Sequence, residues 1–127
     1  MPRTLVSGHS PYESKYGFSR AVRVGNTVYV AGTGPVDPDG MTISPNDPAA
    51  QTQACLDIIK SALKQAGADL SHVVRTRLYI TDQSFADAVG EVHGRVFANV
   101  RPAATMVVAG LLRNDWTVEI EAEAVII

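Results

Sequence analysis

Trp116-Thr117-Val118-Glu119-Ile120-Glu121-Ala122-Glu123-Ala124-Val125-Ile126-Ile127 alternates with a period of two. Successive side chains of a β-strand point to opposite faces. Trp116, Val118, Ile120, Ala122 and Ala124 therefore share one face, while Thr117, Glu119, Glu121, Glu123 and Val125 share the other. The first set suits a hydrophobic core; the second carries three carboxylates. Another alternating stretch, His72 to Ile80, places Val74, Thr76, Leu78 and Ile80 on one face and Val73, Arg75, Arg77 and Tyr79 on the other. Arg75 and Arg77 then have the parity needed to meet the glutamates, which predicts ion pairing across a sheet or between chains.

Outward from these strands, caps and breakers set the remaining elements. Ser19–Val24 and Thr27–Ala31 flank Gly25-Asn26 and read as a hairpin. Gly32-Thr33-Gly34-Pro35 stops it, and Pro35, Pro38, Gly40 and Pro45 keep the chain irregular up to Asp47. Asn46-Asp47 can cap a helix with Pro48 at its first position, Gly67 closes it, and Leu56, Ile59, Leu63 and Ala66 form its buried stripe. Thr81-Asp82 caps a second helix with Phe85, Val89, Val92 and Val96 as its apolar stripe, and Pro102 precedes a strand from Ala103 to Ala109. The expected architecture is α+β in the order ββαβαββ, with two helices on one face of the sheet and a single domain over residues 1–127.

The chain has 127 residues, 46% hydrophobic and 19% charged, enough to fill one core and to exclude disorder. Its 11 basic and 13 acidic residues leave a net charge of −2, without a run of three like charges, which argues against a nucleic-acid partner. The longest apolar run, Met106 to Leu112, is seven residues against the ~20 that cross a bilayer, so no membrane partner is expected. Met1-Pro2-Arg3-Thr4 does not open a secretory signal, and the expected location is cytoplasmic. One cysteine, Cys55, excludes an intrachain disulfide and reads as a small buried hydrophobe. Two helices, each about 10 Å wide, cover only one face of five or six strands spaced ~4.8 Å apart. The other, half-apolar face predicts burial against further copies of the chain.

Five segments, in order and spacing, resemble the RidA/YjgF family over about Gly17 to Val125. They are Val30 to Asp37, Asp47 to Gln51, Val73 to Asp82, Arg101 to Val107, and Val118 to Ala124. The resemblance implies a chorismate-mutase-like fold and a homotrimer with a central barrel and ligand clefts between subunits. In members that hydrolyse imines and enamines released by pyridoxal-phosphate enzymes, an arginine two residues after the motif proline holds the substrate carboxylate. Ala104 stands there, so the chain resembles a branch without that bidentate clamp. By the same resemblance, Glu119 corresponds to the glutamate that positions the attacking water, and Phe18 to a cleft aromatic that is usually tyrosine. Thr33 and Thr105 can offer hydrogen bonds to a small anionic ligand, Arg101 can reach the cleft from its loop, and His93 lies either near the cleft or in helix packing.

These residues point to a small-metabolite-binding trimer acting on reactive enamine, imine or related carbonyl-derived compounds. The alternative is a 2-iminobutanoate/2-iminopropanoate-type deaminase in which Glu119 orients water. No cofactor and no metal are expected: His9, His72 and His93 are scattered, and neither a dinucleotide fingerprint, a phosphate-binding Gly-Lys-Ser/Thr nor a Gly-x-Ser-x-Gly elbow is present.

Overall fold

The computed structural model describes residues 2–127, folded as six strands in one mixed sheet with three α-helices. In chain order these are β1 (Arg3–Val6), α1 (Tyr12–Tyr16), β2 (Ala21–Val24), β3 (Thr27–Thr33), α2 (Pro48–Gln65), β4 (Val73–Ile80), α3 (Ala86–Val96), β5 (Ala103–Val108) and β6 (Val118–Val125). Strand order across the sheet is β1-β2-β3-β6-β4-β5; only β4 and β5 run parallel. The expected ββαβαββ order is present, but β1 and the single-turn α1 precede it, so the helices number three rather than two. Neither addition carries a periodic signal: β1 has four residues, three of them exposed, and is defined by pairing with β2.

Helix α2 starts where its cap requires. The Asp47 carboxylate accepts from Ala50 N at 3.1 Å and Pro48 occupies the first turn, where its missing N–H costs nothing. Leu56, Ile59 and Leu63 are fully enclosed against Val28, Val30, Leu78, Val118 and Ile120 of the sheet. Helix α3 adds Val89 and Val92, and Phe97 closes the far end of this core. In β6 burial alternates strictly, Val118, Ile120, Ala122 and Ala124 lying under the helices and the three glutamates facing away. On that second face Arg77 Nη1 donates to Glu123 Oε1 at 3.0 Å and lies 4.0 Å from Glu121, whose carboxylate also accepts from the Tyr79 hydroxyl.

Strand β4 corrects the expected faces at its start. Val73 is buried and Val74 exposed, because a bulge sets Val73 opposite Ala124 but Arg75 opposite Glu123. The extra residue reverses the alternation once, and from Thr76 onward the expected parity holds. The last strand begins at Val118 rather than Trp116: the C=O of Thr117 still accepts from Thr81 N at 3.1 Å, but its N–H goes to a side chain.

That side chain is Gln51, fully buried in the first turns of α2. Its Nε2 donates to Ile43 O at 3.2 Å and Asp115 O at 2.8 Å, and its Oε1 accepts from Thr117 N and Thr117 Oγ1, both at 2.7 Å. Gln51→Leu, close in volume, would leave the buried N–H and hydroxyl of Thr117 without a partner and remove a donor from Ile43 O and Asp115 O, the latter keeping Asn46 N, at roughly 1–3 kcal/mol for each group stranded. Thermal or urea denaturation should show a loss of about 3 kcal/mol or more. Gln65→Ala, on the exposed side of the same helix, should change stability by less than about 0.5 kcal/mol.

Candidate functional site

Between α2 and the segment from Ser7 to Phe18 lies a cavity of about 680 Å³. Ala54, Ile58 and Ala62 of α2 line it, together with Tyr12, Tyr16 and Phe18. Trp116, Leu112, Val36 and Ile43 close the end nearest the long loop, and Gly32, Thr33 and Glu119 form the polar floor. The volume lies within the ~300–1,000 Å³ of small-molecule sites, and the mostly apolar lining with a few convergent polar groups has the same character.

The floor depends on an irregularity in β3. The register against β6 shifts between Val30 and Thr33, and the glycines there admit neighbours that a side chain would exclude. A Cβ on Gly32 would collide with Glu119 Oε2, and one on Gly34 with the indole of Trp116. Glu119 is half-buried beside the Gly32 backbone. Burial holds its carboxyl above the ordinary carboxylate range; the Arg20 guanidinium pulls it partly back, and Glu121 pushes it further up.

Arg20 is the residue that sequence reasoning missed. It is only 7% exposed and lines the cavity. Its Nη1 donates to Gly32 O at 2.6 Å and Thr33 Oγ1 at 3.1 Å, its Nε lies 3.5 Å from Glu13 Oε2, and its guanidinium sits 5.5 Å from the Phe18 ring centroid. Glu13 is itself buried and accepts from Gly8 N at 2.9 Å, which ties the segment before α1 to the sheet. One signal was available in sequence: a lone charge between Phe18 and the apolar start of the hairpin.

No group of three or more His, Cys, Asp and Glu side chains among the described residues is arranged to hold a metal ion. Cys55 is buried beneath β6, and desolvation drives its thiol far above the ordinary value, so it is no nucleophile. No helix among the described residues is long and apolar enough to cross a membrane.

A sequence model of the family described as Endoribonuclease L-PSP matches residues 7–126. Rv2704 of Mycobacterium tuberculosis, whose structure is described as that of a member of the highly conserved YjgF/YER057c/UK114 family, is 48% identical to this chain. The two superpose with a TM-score of 0.89 over 98% of this chain and 100% of that one. The chain belongs to the RidA/YjgF family. SCO2049, an uncharacterized protein of Streptomyces coelicolor, is 37% identical over 123 residues, 96% of this chain and 90% of its own length. The RutC family protein PYRAB12510 of Pyrococcus abyssi is 36% identical over 107 residues, 84% of each chain.

Of the residues expected at the RidA-family cleft, Phe18, Thr33 and Glu119 meet in this cavity. The Thr33 hydroxyl is already committed: it donates to Ala31 O at 2.8 Å and accepts from Arg20, so its role is to hold the guanidinium. His93 lies elsewhere, with its Nε2 2.8 Å from Thr76 Oγ1 and its ring against Phe97; burial lowers its pKa. Arg101, Ala104 and Thr105 are exposed on and before the edge strand β5. Through β4, Glu119 is in register with Val107, whereas Thr105 and Ala104 align two and three residues away and Arg101 six. At ~3.3 Å per residue and ~4.8 Å per strand, Arg101 is therefore roughly 20 Å along and 10 Å across from Glu119 within one chain.

The raised Glu119 carboxyl makes a stability prediction. A carboxyl whose folded pKa lies above its unfolded value contributes fully below the unfolded value, near 4.5, and that contribution is lost as pH rises through the folded pKa. Glu119→Gln should therefore melt above wild type at pH 8, with the difference closing below pH ~4.5. Melting curves across that range check the sign.

Proposed function

We propose that this RidA-family chain binds a small anionic, carbonyl-derived metabolite in clefts of a homotrimer, with Glu119 facing the ligand. The observation that carries this reading is the half-buried Glu119 on the floor of a largely apolar cavity of about 680 Å³. A ribonuclease reading has less support. Asp37, Asp57 and Glu119 line the cavity against one arginine, a poor electrostatic match for a phosphodiester backbone.

The trimer is supported by what one chain leaves uncovered. Edge strand β5 exposes Ala103, Ala104, Thr105, Val107 and Val108, and the sheet face away from the helices exposes Tyr29 and Val74. An unpaired edge and a half-apolar face invite cover by a second copy. Such packing would also give Arg101, Ala104 and Thr105 a route to the Glu119 of a neighbour, which they lack within one chain. Light scattering should give about three times the 13.5 kDa chain mass; a monomer would refute this assembly.

A second reading, hydrolysis of an imine or enamine, is favoured by the state of Glu119. A carboxyl whose pKa burial raises is a stronger base than an ordinary carboxylate and can take a proton from water and return it to nitrogen. Water oxygen bonds to the C=N carbon while Glu119 accepts its proton; the carbinolamine then expels ammonia, leaving a carbonyl group. Ala104 cannot clamp a carboxylate, so turnover of 2-iminopropanoate or 2-iminobutanoate should be slow in wild type. Ammonia release from the enzymatically generated imines should rise at least tenfold in Ala104→Arg. It should fall by about 10²-fold or more when Glu119→Gln is added, the usual scale of a lost general base. Fast turnover by wild type would overturn the weight placed on Ala104.

A further inference from the structure

Among the described residues, Arg20 is the only arginine or lysine lining the cavity. A guanidinium has five N–H donors in a rigid fork. Nη1 serves Gly32 O and Thr33 Oγ1, and Nε faces Glu13 at 3.5 Å. Nη2 has no hydrogen-bond partner among the described residues and is not fully enclosed, on a side chain that lines the cavity. The fork is also held from several sides: by Gly32 and Thr33 at one edge, by Glu13 at Nε, and with Phe18 beside it. A side chain fixed this way has little freedom left to lose when a ligand binds, and a charge-assisted hydrogen bond at a desolvated site is strong.

We propose that Arg20 is the anion contact of this cavity, donated by the same chain that carries Glu119, and that it binds the carboxylate of a small acid through Nη2. The inference rests on the reading that the cavity takes an anionic metabolite, and it names the group that recognises the charge. Arg20 replaces from within the chain what Ala104 does not offer at β5. The apolar walls formed by Tyr16, Ile58 and Trp116 give such an acid room for a branched or aromatic side chain beyond its carboxylate.

The test is equilibrium binding by calorimetry of 4-methyl-2-oxopentanoate, a stable ketone stand-in for an imino acid, against its uncharged amide, 4-methyl-2-oxopentanamide. Wild type should prefer the acid, and Arg20→Met should weaken the acid at least tenfold while leaving the amide within twofold. Arg20→Met strands Glu13, so the double variant Glu13→Gln/Arg20→Met, which removes both charges together, is measured alongside with its melting transition as the check on folding. The same selective loss is expected in that pair. Retention of the acid's affinity in both variants, or its loss in Arg101→Ala instead, would overturn the role of Arg20 while leaving an anionic ligand intact. Wild type binding neither compound, or binding both equally, would remove the anionic-ligand reading and this inference with it. Turnover is not read, so the fate of the Glu119 chemistry does not affect the result.

Discussion

Gln51 joins three parts of the chain that are far apart in sequence. Its amide is buried where α2 begins, and four hydrogen bonds join it to the long loop at Ile43, to Asp115 and to the N–H and hydroxyl of Thr117. Without it the buried N–H and hydroxyl of Thr117 would lose their partner, Ile43 O would lose a donor, and Asp115 O would keep only Asn46 N, and a satisfied buried network specifies one arrangement over its alternatives. Geometry at the cavity follows from that arrangement. Fixing Asp115 and Thr117 fixes Trp116 between them, whose indole packs over Gly34, and it sets the depth at which β6 enters the sheet and delivers Glu119 beside Gly32.

Strand β6 is the second constraint. It is last in the chain yet central in the sheet, antiparallel to both β3 and β4. Its strict alternation separates two jobs that would conflict on one face: four apolar side chains seal the helical core, and three glutamates turn away from it. Those glutamates are then differentiated by their neighbours. Glu121 and Glu123 are engaged by Tyr79 and Arg77, whereas Glu119, just past the β3 irregularity, has Gly32 beside it. Identical residue types on one strand thus acquire structural or chemical roles according to what stands next to them.

This explains which features were legible in the sequence. Helix α2, the hairpin and both alternating strands announce themselves through caps, breakers and period, which are local. The reversal at Val73 and Val74 was not legible, because a bulge is set by the partner strand and leaves no mark in the alternation of β4 itself. Strand β1 and helix α1 were missed because their stability comes from pairing with β2 and from the Glu13–Arg20 contact rather than from their own patterning. Phe18, Thr33 and Glu119 could be named in advance from the family resemblance, but the spent hydroxyl of Thr33 and the buried charge of Arg20 depend on contacts thirteen residues apart in sequence.

Arg20 links the stability of the cavity wall to the chemistry of its floor. Through Glu13 it holds the segment that carries Tyr12, Tyr16 and Phe18; through Nη1 it holds the irregular turn of β3; and through space it draws the Glu119 carboxyl back toward ionisation against the effect of burial. A single cation cannot serve all three without compromise. Were it moved closer to Glu119, it would offset more of the rise that burial imposes on the carboxyl; were it moved away, burial would raise the carboxyl further, and the wall would lose its tie. The observed position leaves the Glu119 carboxyl raised by burial but partly drawn back, and leaves one guanidinium nitrogen without a protein partner, so the residue that assembles the site retains the capacity to recognise what enters it.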